Sequence, residues 1–214
     1  MDQLNIFQEI NDQNKRGVLL VLTGPSGAGK DTVIARLMKK HPEIIKIITT
    51  TSRPPRENER EGAPYHFISR EEFEERIARG DFFEWVEFRG ELYGTEKKTL
   101  LEALAKGVTV IWKIETKGVK NIKEKIKQMV PRVVFVFLTA ESIDEMRDRV
   151  YHDEGEDGAH KRWHESLVIW EMRQFTDCDY LVVNKNNNLD SAVEQIESIL
   201  EAKRLEIIQK QTTS

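Results

Sequence analysis

Gly24-Pro25-Ser26-Gly27-Ala28-Gly29-Lys30-Asp31-Thr32 follows directly on the apolar run Val18-Leu19-Leu20-Val21-Leu22. The order is strand, glycine-rich loop, helix, the arrangement of a phosphate-binding P-loop. Glycines let the chain turn tightly enough for successive backbone N–H groups to point at one anion. The helix that follows presents its positive end, and Lys30 adds a mobile cation for the terminal phosphates. Position 31 departs from the usual signature, which places a Ser or Thr hydroxyl there to touch a magnesium ion; this chain has Asp31.

Outward from the loop, strands and helices alternate. A strand is predicted over 17–23, a helix over 30–40 ended by His41-Pro42, and a β-prone segment over 44–51. After 96 come helix 96–106, strand 108–114, helix 116–127, strand 132–138 and helix 142–150. Residues 151–161 carry two glycines and no apolar period and read as a mobile lid loop. A helix to about 175, strand 180–183 and a C-terminal helix complete the chain. The fold class is α/β, a P-loop parallel sheet with helices on both faces.

Residues 52–95 break the rhythm. Prolines 54, 55 and 64 and a dense run of charge mark an exposed loop. Ser69 and Glu72 have the spacing of a capping box, and 82–88 with 91–95 reads as a hairpin turning at Arg89-Gly90. This segment is a small α+β insertion. The domain reading is a tail at 1–16, a core of 17–51 and 96–209, the insertion at 52–95 and the lid at 151–161.

The chain has 214 residues, 39% hydrophobic and 33% charged, with net charge −4. That size suits one α/β domain with an insertion, and the negative balance argues against a nucleic-acid partner. Cys178 is the single cysteine, so no internal disulfide forms, and a reducing, cytoplasmic setting is expected. No apolar run approaches the ~18 residues of a membrane span, so no membrane partner is expected.

A second constellation is Thr49-Thr50-Thr51-Ser52-Arg53-Pro54-Pro55-Arg56. Arg53 and Arg56, with stiff prolines between them, suit two guanidinium forks converging on one phosphate. This segment, the P-loop, Gly62-Ala63-Pro64-Tyr65, Phe83-Glu84-Trp85, Tyr93-Gly94-Thr95 and Tyr180-Leu181-Val182-Val183-Asn184 occur here in order. On them the chain resembles the guanylate kinase family from about Val18 to Arg204.

The resemblance implies ATP-dependent phosphorylation of GMP, and of dGMP, to the diphosphate, with magnesium, by a monomer or homodimer. It implies ATP binding by Gly24, Pro25, Ser26, Gly27, Ala28, Gly29, Lys30, Asp31, Thr32 and Asn184. The GMP phosphate falls to Arg53, Arg56, Tyr65 and Tyr93. Glu84 falls where a carboxylate accepts from guanine N1–H and the 2-amino group, a donor pair that adenine lacks. Thr49, Thr95 and Glu115 fall near the base, and Phe82, Phe83, Trp85 and Phe88 are expected to pack as one cluster around Glu84. Lys30, Arg149 and Arg162 are the candidate catalytic cations.

Three positions depart from the family pattern: Asp31; Lys113, where the family carries an acid; and the lid Tyr151-His152-Asp153-Glu154, where the family is rich in arginine. Asp31 and Lys113 are expected to pair as a swap of charge, with Asp31 reaching magnesium through water. Two alternatives stay open on the residues alone. One is a P-loop kinase of another small phosphorylated substrate, such as a ribose bisphosphate. The other is a guanylate-kinase-like binding module without chemistry.

Overall fold

The structure is a computed structural model describing residues 17–56 and 59–212; the tail expected at 1–16 lies outside the described residues. Strand β1 (Leu19–Thr23) is central in a five-stranded sheet of order β2-β7-β1-β8-β9. Its neighbours are β7 (Val110–Lys113) and β8 (Val133–Thr139), with β2 (Ile45–Lys46) and β9 (Tyr180–Val183) at the edges. All the pairings are parallel. A parallel strand buried on both faces reads as a continuous apolar run, which is why Leu19 to Leu22 show no polar alternation.

The two faces of β1 feed different cores. Leu20 and Leu22 pack with helix α1 (Lys30–Lys40) and the C-terminal helix, and Leu19 and Val21 pack with Trp112, Phe135 and the helices on the opposite face. Trp112 is 0% exposed and sits at the centre of that second layer. Truncating a side chain of this size in a packed core costs about 3–5 kcal/mol.

The β-prone segment 44–51 divides in two. Ile45–Lys46 pairs with β7 in the main sheet, whereas β3 (Thr49–Thr51) crosses to a second sheet of order β4-β3-β6-β5. That sheet is completed by β4 (Tyr65–Phe67), β5 (Phe82–Phe88) and β6 (Glu91–Glu96). By its hydrogen bonds the inserted unit therefore begins at Thr49, before the expected boundary at 52. Helix α2 (Arg70–Ala78) lies on it, capped by Ser69, whose hydroxyl accepts from Glu72 N at 3.1 Å.

The aromatic residues of β5 do not form one cluster. Phe82 stacks on Phe73 at 4.3 Å, Phe83 meets Trp112 edge-on at 5.7 Å, and Trp85 is 45% exposed. A register shift between Phe82 and Glu84 turns these neighbours to different surroundings.

Helices α3 (Lys97–Ala105) and α4 (Thr116–Met129) follow the insertion. Residues 151–161 form no loop. Helix α5 runs Ile143–Arg162, interrupted at Gly155, whose φ of 67° and ψ of 176° are not helical. The segment lacks an apolar stripe because it borders an open cleft and, within 151–161, buries only Ala159 among its described side chains. Helix α6 (Glu165–Arg173) and helix α7 (Leu189–Thr212) close the fold. Among the described residues no helix is long and apolar enough to cross a membrane.

Candidate active site at the carboxyl edge of the sheet

The loop after β1 opens at the carboxyl ends of the strands, where ligands of open α/β sheets bind. It lines a cleft of about 1080 Å³ with Arg53, Arg56, Tyr65, Tyr93, Arg149 and Asn184. Lys30 folds back on its own loop, Nζ donating to Gly24 O at 2.6 Å and Pro25 O at 2.9 Å. Burial lowers its proton affinity, against the pull of Glu115 and Glu171.

The loop is held from outside by residues of the later strands and helices. Asn184 Nδ2 donates to Ala28 O at 3.0 Å, and Arg149 donates to Gly27 O at 3.3 Å and to Asn184 O at 2.8 Å. Arg149 also donates to Asn186 Oδ1 at 2.8 Å. In this conformation Arg149 and Asn184 thus brace the loop's carbonyls. Ala28 is fully buried and contributes backbone alone. Arg162 ends α5, and its side chain lies outside the described residues.

Position 31 joins the loop to the sheet. The pairing of Leu22 with Lys113 sets the end of β7 beside the start of the loop. Lys113 Nζ donates to both Asp31 oxygens at 2.9 Å, and Lys46 Nζ reaches Oδ1 at 3.2 Å. The expected swap of charge is therefore in contact, with Lys46 as a third member that sequence reasoning missed. Burial alone would raise the Asp31 carboxyl, but Lys113 and Lys46 outweigh it and hold it well below the usual range. Burial disfavours the Lys113 ammonium, and Tyr65 and Asp31 more than compensate, holding it above its usual range.

Asp31→Ser is expected to destabilise the protein, because Lys46 and Lys113 would then face each other without a counter-charge. Adding Lys113→Asp should recover most of the loss, a coupling of about 1–2 kcal/mol. Thermal unfolding of the two single variants and the double variant measures it, and additive effects would show that the ion pair is not coupled.

Beside the cleft is a narrower pocket whose lining includes Thr49, Tyr65, Glu84, Tyr93, Gly94, Lys113 and Glu115. Four of these, Tyr65, Tyr93, Lys113 and Glu115, also line the larger cleft, so the two spaces meet there. Glu84 Oε1 accepts from Thr95 Oγ1 at 2.7 Å, and Thr95 in turn accepts from Trp112 Nε1 at 2.8 Å. Thr95 is fully buried and orients Glu84 from behind instead of lining the pocket. Burial pushes the Glu84 carboxyl up to about 7, with the Thr95 hydrogen bond acting against it.

Arg53 lies over Tyr65 at 5.6 Å and pairs with Glu59 at 2.8 Å. Glu59 also accepts from Arg56 N at 2.9 Å, so one carboxylate positions both members of the arginine pair. Tyr65 and Tyr93 meet edge-on at 5.9 Å beside them. Glu59, Arg89 and Glu171 were missed as site residues: Glu59 and Arg89 line the cleft, and Glu171 is buried within electrostatic reach of Lys30.

The guanylate kinase family profile matches residues 16–203. The chain belongs to this family. It is 36% identical over 195 residues to the guanylate kinase of Clostridium perfringens strain SM101, covering 91% of this chain and 88% of that one. Against the guanylate kinase of Carboxydothermus hydrogenoformans the identity is 37% over 193 residues, covering 89% and 90%. The crystal structure of guanylate kinase from Anaplasma phagocytophilum superimposes with a TM-score of 0.70 at 28% identity, covering 88% of this chain and 86% of that one. The Lys46–Asp31–Lys113 cluster is explained by this chain's own geometry, the pairing of Leu22 with Lys113 that sets β7 beside the loop.

Proposed function

We propose that this protein transfers the γ-phosphoryl group of ATP to GMP, and to dGMP, giving the diphosphates. The observation that carries the reading is Glu84, largely buried in the lining of a narrow pocket that shares four residues with the cleft of the phosphate loop. A carboxylate there accepts two hydrogen bonds from the guanine edge and has no partner for adenine. Arg53, Arg56, Tyr65 and Tyr93 take the monophosphate, and Lys30 with the loop N–H groups takes the terminal phosphates of ATP.

Phosphoryl transfer asks little covalent chemistry of the protein and depends on positioning and on neutralising charge. The bridging oxygen of the β-phosphate leaves with the electron pair as a GMP phosphate oxygen bonds to the γ-phosphorus. Tyr65, Tyr93, Lys113 and Glu115 border both spaces, which supports a reading in which donor and acceptor phosphates approach each other beside them.

Magnesium fits this site as a hydrated ion. Asp31 Oδ1 already takes two ammonium groups and Oδ2 takes one, and a carboxylate offers about four acceptor positions. One position on Oδ2 remains for a water of a hexahydrated or phosphate-bound ion, and magnesium characteristically keeps several of its waters. Asp31 would hold the ion through water, and a bound magnesium would supply positive charge to offset that of the phosphates.

A coupled assay with ATP and magnesium, offering GMP, dGMP, AMP, UMP and ribose bisphosphate in parallel, tests the assignment. Turnover of the two guanine nucleotides alone is expected. Turnover of ribose bisphosphate, or GMP binding without turnover, would replace it with one of the other readings.

A further inference from the structure

The hairpin between β5 and β6 turns at Arg89 and Gly90, with φ of 55° and 77°. Both lie in the left-handed region, as a two-residue turn matched to the twist of its strands requires. Asn-Gly or Gly-Gly is the pair such a turn prefers, so an arginine there is conformationally costly.

That side chain leaves the inserted unit and reaches the phosphate loop. Its guanidinium carbon lies 4.9 Å from the Phe88 ring centroid, and Nη2 donates to Ser26 Oγ at 3.5 Å. Ser26 belongs to the loop itself, one residue before Gly27. Glu171, 1% exposed, lies within electrostatic reach of both Lys30 and Arg89. A lysine of the loop and an arginine of the insertion thus both lie within electrostatic reach of one buried carboxyl, beside the loop that would hold the terminal phosphates of a donor. Arg149, the guanidinium on the opposite side, is committed to the carbonyls of Gly27 and Asn184. The contact of Arg89 with a neutral hydroxyl is long, and a phosphate oxygen in its place would give a shorter, charge-assisted bond.

We propose that Arg89 is a further catalytic residue, whose guanidinium moves from Ser26 onto the transferred phosphoryl group when the hairpin settles over bound nucleotides. The proposal rests on the phosphoryl-transfer reading above. Arg89 remains protonated, no proton moves, and its two-pronged donor face meets charge spreading over the equatorial oxygens. Glu84 lies five residues earlier, on the strand that leads into the turn. Guanine bound at Glu84 therefore fixes the strand that carries the arginine, and acceptor recognition and catalysis become linked through one hairpin.

The variants are Arg89→Asn, which keeps the left-handed turn, and Arg89→Lys, which keeps the charge without the fork. Arg89→Asn is expected to lower kcat by roughly 10²–10³-fold, the loss typical of one preorganised transition-state donor. It should leave the GMP dissociation constant within about threefold and the melting temperature unchanged or higher, since asparagine suits the turn. Arg89→Lys should recover no more than about a tenth of the activity, since its point charge lacks the bidentate fork. Binding of ADP with aluminium fluoride and GMP, a mimic of the transferring group, should weaken in Arg89→Asn by the factor lost in kcat. Wild-type turnover of GMP matched by Arg89→Asn overturns the inference alone, as does a kcat loss accompanied by equal losses in GMP binding and melting temperature. Absence of wild-type turnover overturns the inference together with the reading it rests on.

Discussion

Glu84→Ala is expected to lower kcat/KM for GMP by roughly 10²–10⁴-fold, the equivalent of two charge-assisted hydrogen bonds at about 1.5–3 kcal/mol each. AMP, which makes neither bond, should be little affected, so discrimination between the two bases should collapse. Glu84→Gln should not restore it, because an amide presents one acceptor and one donor where guanine presents two donors.

The same substitution should stabilise the protein at alkaline pH. The Glu84 carboxyl titrates near 7 in the folded chain because burial disfavours its charge, against an ordinary value of 4.5. The folded state therefore holds this proton more tightly than the unfolded state. Its contribution is fully present below about 4.5 and is lost as pH rises through about 7. At one pKa unit per 1.36 kcal/mol the loss is about 3 kcal/mol. Glu171, raised to about 7 by burial, adds to the slope in the same direction. Wild-type melting temperature should fall between pH 5 and pH 8, and Glu84→Ala should flatten part of that fall.

Ligand binding should run the opposite way, because guanine needs the ionised form. Affinity for guanosine, which carries no titrating phosphate, should rise from pH 6 to pH 8 and lose that dependence in Glu84→Ala. Calorimetry in buffers of different ionisation enthalpy would count the proton released. A pH-independent affinity would show that Glu84 does not read the base.

The parts of this site that could be read from the sequence are those whose chemistry is local. The P-loop is legible because a buried parallel strand must be apolar throughout and the turn after it must be rich in glycine. Ser69 predicts the start of α2, and Arg89-Gly90 predicts the turn of the hairpin, each through the backbone of a few adjacent residues. The split at 44–51 was not legible, since both halves are β-prone and only their partners, β7 and β6, distinguish them. Alternation misled at Phe82, Phe83 and Trp85 because a bulge reassigns faces. The lid misled for a related reason: from 151 onward helix 143–162 borders a cleft and buries only Ala159 among its described side chains, so its composition resembles a loop. Lys46 and Glu171 carry no local signal at all. Their roles arise from Asp31 on α1 and from Lys30, which the fold alone brings near them.

Gly24→Ala is expected to abolish folding or to cost more than about 4 kcal/mol, a size reserved for a few identifiable mechanisms. Two effects add at this position. Its φ of 141° is a conformation that L side chains rarely adopt, and an added Cβ would lie 2.0 Å from Leu138 O and 3.2 Å from Leu138 N. Those atoms are backbone of β8, which is hydrogen-bonded to β1 on one side and β9 on the other, so neither can move without opening the sheet. Gly62 separates the two effects. Its φ is 77°, yet a Cβ there would meet nothing within 4 Å. Gly62→Ala should therefore cost only the conformational strain, about 1–2 kcal/mol. Urea unfolding of the two variants compares them directly. A Gly24→Ala protein that folds with the midpoint of Gly62→Ala would mean that the phosphate loop is not pressed against β8. A large gap would mean that the loop's shape is set by the sheet beneath it, before any nucleotide binds.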